Sequence, residues 1–279
     1  MIKNQVGKKN VIITRTILFY LSILVMLAVL LFPFIWMVLA SFKKNADILN
    51  VKAMFNFVPT LKNYLSVFVD YDFGKPVCNS LIISCVSTGI ALFFGVPCAY
   101  SIARSKFHVF SGIILMIRIV PAISFLVPWY LLFTRLKLVG TLRSLIVCHF
   151  IVSLPTIIWI MIPYFESVPM DLEEAAKIDG SSNFMAFIKI MLPLSKPGIL
   201  TSGILAFTAS WNNFMFALIL CSSKTTTLPI AIYQFISYSN VNWGGIMAAS
   251  VIITLPIILI SFFLQRYIIT GLTAGAVKG

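Results

Sequence analysis

The sequence predicts an all-α polytopic membrane protein: six spanning helices, with one polar helix-turn-helix projecting from them. Three observations carry that reading. Hydrophobic residues make up 60% of the 279-residue chain, charged residues only 10%, and mean hydropathy is +1.02, well outside the range of soluble domains. Apolar windows of the roughly 20 residues that a bilayer core requires recur six times. Five of the eight acidic residues (Glu166, Asp171, Glu173, Glu174 and Asp179) crowd into one stretch, 166–197, where the chain must meet water or a partner.

The chain begins with a basic tail, 1–15, and the apolar run behind it is too long for a signal peptide and has no small-residue cleavage site, so it is expected to remain as an anchor. The six windows are 16–40, 77–100, 109–133, 144–163, 199–220 and 246–265, which makes 16–270 one transmembrane domain with the loop 166–197 inside it and a tail at 271–279. Prolines fall inside several of them (Pro33, Pro97, Pro121, Pro128, Pro155, Pro256), and a bundle tolerates these because neighbours satisfy the freed carbonyls. Six spans put both termini on one side. The basic residues divide nearly evenly between the two faces, so charge alone leaves the orientation open. Segments 41–76 and 221–245 read as a small interfacial cap and a second outer loop. The five cysteines lie in or beside apolar blocks without C-x-x-C spacing, and are expected to be small buried hydrophobes. The net charge of +13 is scattered between apolar blocks, which fits basic flanks beside anionic lipid and not a nucleic-acid surface.

Within 166–197 the local signals are dense. Asp171 stands at an N-cap position with Glu174 three residues on, the spacing of a reciprocal capping pair. Glu173 and Lys177 are i, i+4 in the favourable order. Gly180 supplies a left-handed stop, Ser181 or Ser182 can cap a second short helix to about Leu192, and Pro193 and Pro197 are expected to end it. Small Ala175 and Ala176 would let another surface come close.

The energy inventory of the spans is empty. All eight carboxylates lie outside them, and there is no G-x-x-x-x-G-K-[ST] phosphate loop, so uphill transport would draw its energy from another subunit through the acidic loop. No catalytic residue and no metal set is expected, since His108 and His149 have no intramembrane carboxylate partner. Arg118 is the one full charge inside a span; it reads either as a pathway residue or as a side chain packed against carbonyls or snorkelling to the inner face.

Glu174-Ala175-Ala176, three residues, Gly180, nine residues, then Ile190-Met191-Leu192-Pro193 resembles the EAA loop in the membrane subunits of binding-protein-dependent ABC importers. Asp179 before the glycine, Pro197 after the loop, Trp211-Asn212-Asn213-Phe214 in the fifth span and the ending Gly271 to Gly279 are similar to the carbohydrate branch, in particular to the smaller membrane subunit of the maltose importer. Ser181 departs from the alanine commoner there. The resemblance implies a type I ABC importer permease fold in the bacterial cytoplasmic membrane with both termini cytoplasmic. It implies that Glu174, Ala175, Ala176, Asp179, Gly180, Leu192, Pro193 and, in the tail, Gly275 dock an ATPase dimer. Leu228 and Pro229 would face an extracytoplasmic sugar-binding protein, and a second related permease would complete the pathway. No cofactor is implied for this subunit; ATP and Mg would be bound by the partner ATPase.

For the solute, Trp211, Asn212, Asn213 and Phe214 pair a flat aromatic face with amides, as sugar rings require, and with Arg118 they are the candidate pathway residues; the same four also suit interhelix packing. Two further classes stay open on the residues alone: an ion-coupled secondary carrier, against which the carboxylate-free spans count, and a membrane enzyme or scaffold. Within the ABC class the cargo could also be a non-sugar small solute.

Overall fold

Because lipid offers no hydrogen bonds, a chain with this much apolar length must close its backbone polar groups within helices. The computed structural model describes the backbone of residues 2–105, 108–236 and 241–274 and the side chains of 14–105, 109–236 and 241–265. Among the described residues it is helical throughout, apart from turns and one isolated bridge between Ile236 and Val241. Two compact units are formed: Met1–Asp70 with Phe235–Ile252, and Tyr71–Gln234 with Ile253–Gly279.

In the first unit, α1 (Ile2–Ser41) contains the first expected span within Thr14–Ser41. Its large apolar side chains are exposed around the helix, from Ile17 to Phe34. The expected cap after it is built around a cation. Lys43 is fully buried, its Nζ donates to the carbonyls of Ala53 (3.2 Å) and Met54 (2.5 Å), and it sits 4.6 Å from the ring centroids of both Trp36 and Phe57. Asn63 donates to the Ser41 and Lys43 carbonyls, tying the short helix Lys62–Val69 to the end of α1.

The second unit begins with α2 (Gly74–Ser105), α3 (His108–Ile119), α4 (Leu126–Arg135) and α5 (Leu142–Ser167). The buried residues of α2 (Ser80, Ser84, Ser87, Ala91, Gly95, Ala99 and Ala103 among them) repeat every three or four positions and form a small-residue face against α5. A Cβ on Gly95 would lie 3.0 Å from Ile157 Cγ2, which shows how closely the two backbones approach. Beyond α5 come α6 (Asp171–Ile178), α7 (Asn183–Leu194), α8 (Lys196–Trp211) and α9 (Met215–Leu220), and α10 (Trp243–Ala274) is the last helix. α8 packs on both α2 and α5.

Two expected spans are not continuous. The window 109–133 breaks at Pro121, where the chain bends by 82°. Proline lacks the N–H that would continue the helix and pushes the residue before it out of helical geometry, and Pro121 itself is extended with ψ 130°. The window 199–220 breaks at 212–214, after α8 and before α9. Pro155 and Pro163, by contrast, leave α5 unbroken, and Pro256 is carried within α10. The cysteine expectation is corrected in part. Cys148 is buried and Cys221 half-buried, but Cys78, Cys85 and Cys98 lie on the exposed face of α2, because an apolar position in a membrane helix can point outward as easily as inward.

The start of α8 has no spare volume. A Cβ on Gly198 would come within 2.6 Å of the Tyr164 ring on α5. Gly198→Val is therefore expected to force the two helices apart, costing about 1–3 kcal/mol, and to lower the melting temperature of the detergent-purified subunit. An unchanged melting curve would show that Tyr164 swings clear.

Candidate functional site

The acidic loop is held by one buried ion pair. Glu173, on the inward face of α6, is 5% exposed; its Oε1 accepts from Arg104 Nε at 2.5 Å and its Oε2 from Tyr100 Oη at 2.6 Å. Arg104 also donates to the Val168 carbonyl at 3.2 Å and touches Met191 Sδ at 3.5 Å. Tyr100 packs edge-on against Phe165 and lies 4.7 Å from the ring centroid of Phe187. Two α2 side chains thus hold the α6 carboxylate, and side chains of α5 and α7 pack around those two. The expected surface pair of Glu173 with Lys177 does not form among the described residues, because Glu173 turns inward and Lys177 outward.

The start of α6 differs from expectation by one residue. Met170 is already helical (φ −66°, ψ −29°) and its carbonyl receives the N–H groups of both Glu173 and Glu174, so Asp171 is the first helical residue and not the cap. Asp171, Glu173 and Glu174 still fill the first turn, where the helix dipole favours negative charge. The stop is as expected. Gly180 has φ +87°, its N–H reaches the Lys177 carbonyl at 3.0 Å, and the Ser181 N–H reaches the Ala176 carbonyl at 2.9 Å, which closes a Schellman turn.

Ser182 caps α7, its Oγ accepting from Met185 N–H. Pro193 does not end that helix. A π turn over Phe187–Met191, with Leu192 N–H reaching back to the Phe187 carbonyl, widens the coil just before the proline ring, and the helix runs on to Leu194. Pro197 likewise does not terminate anything: it occupies the first turn of α8, after a 73° bend.

The loop's outward surface comprises Glu174, Ala175, Asp179 and Gly180, joined by apolar Ile178 (87% exposed) and Phe184 (70% exposed). Ala176 faces inward at 8% exposure, Leu192 is half-buried, and Pro193 is exposed. Gly275 lies outside the described residues. Ile178, Phe184 and the inward Glu173 escape a reading of motif residues alone. The hydrophobic side of α6 and the lone acidic residue on that side were the available signals.

The structure distributes the pathway candidates among different tasks. Trp211 is buried, stacks on Phe207 and donates its Nε1–H to the Ile253 carbonyl at 3.0 Å. Asn213 Oδ1 accepts from Phe216 N–H and so starts α9. Phe214 packs against Tyr233, and Asn212 is exposed at the break. Ser210, one residue before Trp211, meets His149 Nδ1 at 2.7 Å and Ser87 Oγ at 3.3 Å inside the bundle. Arg118 stands elsewhere, its guanidinium 4.4 Å from the Trp159 ring centroid, on the wall of a 570 Å³ cleft at the α3–α4 break. In the outer loop, Leu228 is fully buried and its N–H bonds Ser80 Oγ, whereas Pro229 is half-buried; Asn79 holds the Lys224 and Thr226 carbonyls.

Residues 91–273 match the family described as binding-protein-dependent transport system inner membrane component. A probable ABC transporter permease of Sinorhizobium fredii is 38% identical over 95% of this chain and 96% of its own. A trehalose/maltose transport system permease of Thermococcus litoralis is 34% identical over 96% and 98%. In the crystal structure of a bacterial ABC transporter involved in the import of the acidic polysaccharide alginate, one chain superposes with a TM-score of 0.77 at 23% identity, covering 90% of this chain and 95% of that one, which shows a shared fold.

Removing one partner of a buried pair leaves an uncompensated charge. Glu173→Ala or Arg104→Ala is expected to destabilise the loop by about 3–5 kcal/mol, read as faster hydrogen exchange of the 171–180 amides, whereas the apolar double variant Arg104→Met/Glu173→Leu recovers most of it. Equal exchange in single and double variants would mean that the pair holds nothing.

Proposed function

The chain belongs to the family of binding-protein-dependent transport system inner membrane components, a multi-pass membrane permease, and from that premise we propose that it forms half of the translocation pathway of an ATP-driven sugar importer and receives the ATPase stroke through the loop 166–197. The observation that carries this is the Arg104–Glu173–Tyr100 network. A loop that is to move helices must transmit a push without deforming. This one is stopped by a Schellman turn at one end of α6 and bonded through a buried carboxylate to α2. A displacement of α6 therefore displaces α2 and, through their tight packing, α5.

The outward face of the loop suits a cleft on an ATP-hydrolysing partner: apolar Ile178 and Phe184 supply burial, and Glu174 with Asp179 supplies the charges that set register. ATP and Mg are bound by that partner and not by this chain. The loop is cytoplasmic, and with six crossings both termini are cytoplasmic too. The membrane is the bacterial cytoplasmic membrane. A second related permease covers apolar surface such as that of α1, and an extracytoplasmic binding protein delivers the solute against the outer loop around Pro229, which the buried Leu228 anchors. Sugar as the cargo is supported by relatives named for it. Besides the trehalose/maltose permease, a sulfoquinovosyl glycerol permease of Agrobacterium fabrum is 34% identical over 89% of this chain.

Glu174→Lys reverses a charge on the docking face, and Gly180→Asp places a side chain on a backbone at φ +87° that side chains rarely adopt. In the importer reconstituted in vesicles, both variants are expected to stay in the membrane and to lose about tenfold or more of ATP-dependent uptake, with basal ATPase retained. Wild-type stimulation of the ATPase by the loaded binding protein would contradict the coupling role.

A further inference from the structure

Between α2, α7 and α8 lies a groove of 690 Å³ whose lining side chains are all apolar. On α2 it runs from Gly89 through Phe93 to Pro97, and its other wall is made by Ile188 and Leu192 of α7 and Ile199 of α8. At about 1.5 Å per residue, that is about 12 Å of helix. Gly89 stands at the middle of the second apolar window and Pro97 near its loop end, so the groove reaches from the membrane midplane to one surface, close to the roughly 15 Å of hydrocarbon in a single leaflet. Its two ends differ in chemistry. At the deep end a Cβ on Gly89 would meet nothing within 4 Å. At the loop end stand Lys189, beside Ile188, and Lys196, one turn before Ile199; both are exposed, and residues 183–211 hold no acidic side chain to neutralise them.

We propose that the groove binds an anionic phospholipid, with one acyl chain lying along α2 and the phosphate held by Lys189 and Lys196. Length and charge both select this occupant. A spanning helix of another chain presents about 30 Å of apolar surface and is not matched by a groove that ends at the midplane, whereas an acyl chain of one leaflet ends there. Lysines at headgroup depth attract anionic lipid, each strengthening its binding about fivefold, and a zwitterionic headgroup with no net charge gains far less. Phe184, exposed on the loop's outward surface, also borders the groove, so the lipid lies beside the loop 166–197. The proposal requires that the chain span a membrane; it is independent of the cargo and of the side on which the loop lies.

The test uses the assembled importer, with its second permease and ATPase, in phosphatidylcholine nanodiscs. The probes are phosphatidylglycerol and phosphatidylcholine, each added in trace amount with a photoactivatable group on the acyl chain, and the labelled peptides are mapped by mass spectrometry. Phosphatidylglycerol is expected to label residues 89–97 and 184–199 about tenfold or more above phosphatidylcholine. Lys189→Gln/Lys196→Gln removes that excess. Gly89→Leu, which fills the deep end where there is open space, lowers labelling of the groove by both lipids several-fold while the importer still assembles. Equal labelling of the wild type by the two lipids means ordinary bilayer contact and overturns the proposal. So does an excess that survives the double lysine variant, or labelling that Gly89→Leu leaves unchanged. Labelling of the isolated subunit that vanishes in the assembled importer shows that the second permease covers the groove, and overturns it as well. None of these readouts depends on transport, so the sugar-importer reading stands or falls separately.

Discussion

One buried carboxylate decides what the acidic loop is. Glu173 is the member of the cluster that does not face water, and its two oxygens are taken by side chains sixty-nine and seventy-three positions earlier in the chain. Burying an ion pair adds little net stability by itself, since desolvation offsets much of the attraction. It does impose geometry. Leaving either charge unpaired in that position is costly, so α6 can sit on the end of α2 in essentially one way. The same arginine reaches Val168 at the end of α5 and Met191 in the π turn of α7, so the arrangement of the whole loop depends on that pair.

The helices that carry the loop are closely packed on one another. α2 and α5 approach through small residues, and α8 starts against Tyr164 with no room for even a methyl group at Gly198. Tight packing of this kind moves as a body, because a dense interface has no slack in which to absorb a displacement. The irregular places lie apart from it, at Pro121, at the 73° bend before α8, and at 212–214. Broken helices at membrane depth are tolerated where they line a cavity, and the break at Pro121 does line one.

Much of this architecture was legible in the residues. The six apolar windows, the stop at Gly180, a serine cap at Ser181 or Ser182 and the absence of any carboxylate from the windows all follow from short-range chemistry. Where reading failed, it failed over proline and over direction. Pro121 breaks its helix while Pro155 and Pro163 do not, and Pro193 is absorbed by a π turn; the outcome depends on whether neighbouring helices take up the freed carbonyls. Asp171 looked like a cap because its spacing to Glu174 is right, but the chain leaving Pro169 is already helical at Met170. Trp211 and Asn213 suited either a sugar surface or interhelix packing on their residues alone; in the fold Trp211 is buried and donates to the Ile253 carbonyl, and Asn213 starts the next helix.

The sequence by itself determined that the chain is built of membrane-spanning helices, that its carboxylates fall outside the apolar windows, and that one acidic stretch stands apart with a glycine stop of its own, because composition and spacing are local properties. Tertiary structure alone decided which acidic residue turns inward, which prolines bend the path, and that Arg118 lies over the Trp159 ring. Those outcomes depend on side chains many residues apart meeting in a low-dielectric interior, where the energy of a charge is fixed by what stands opposite it and not by its neighbours along the chain.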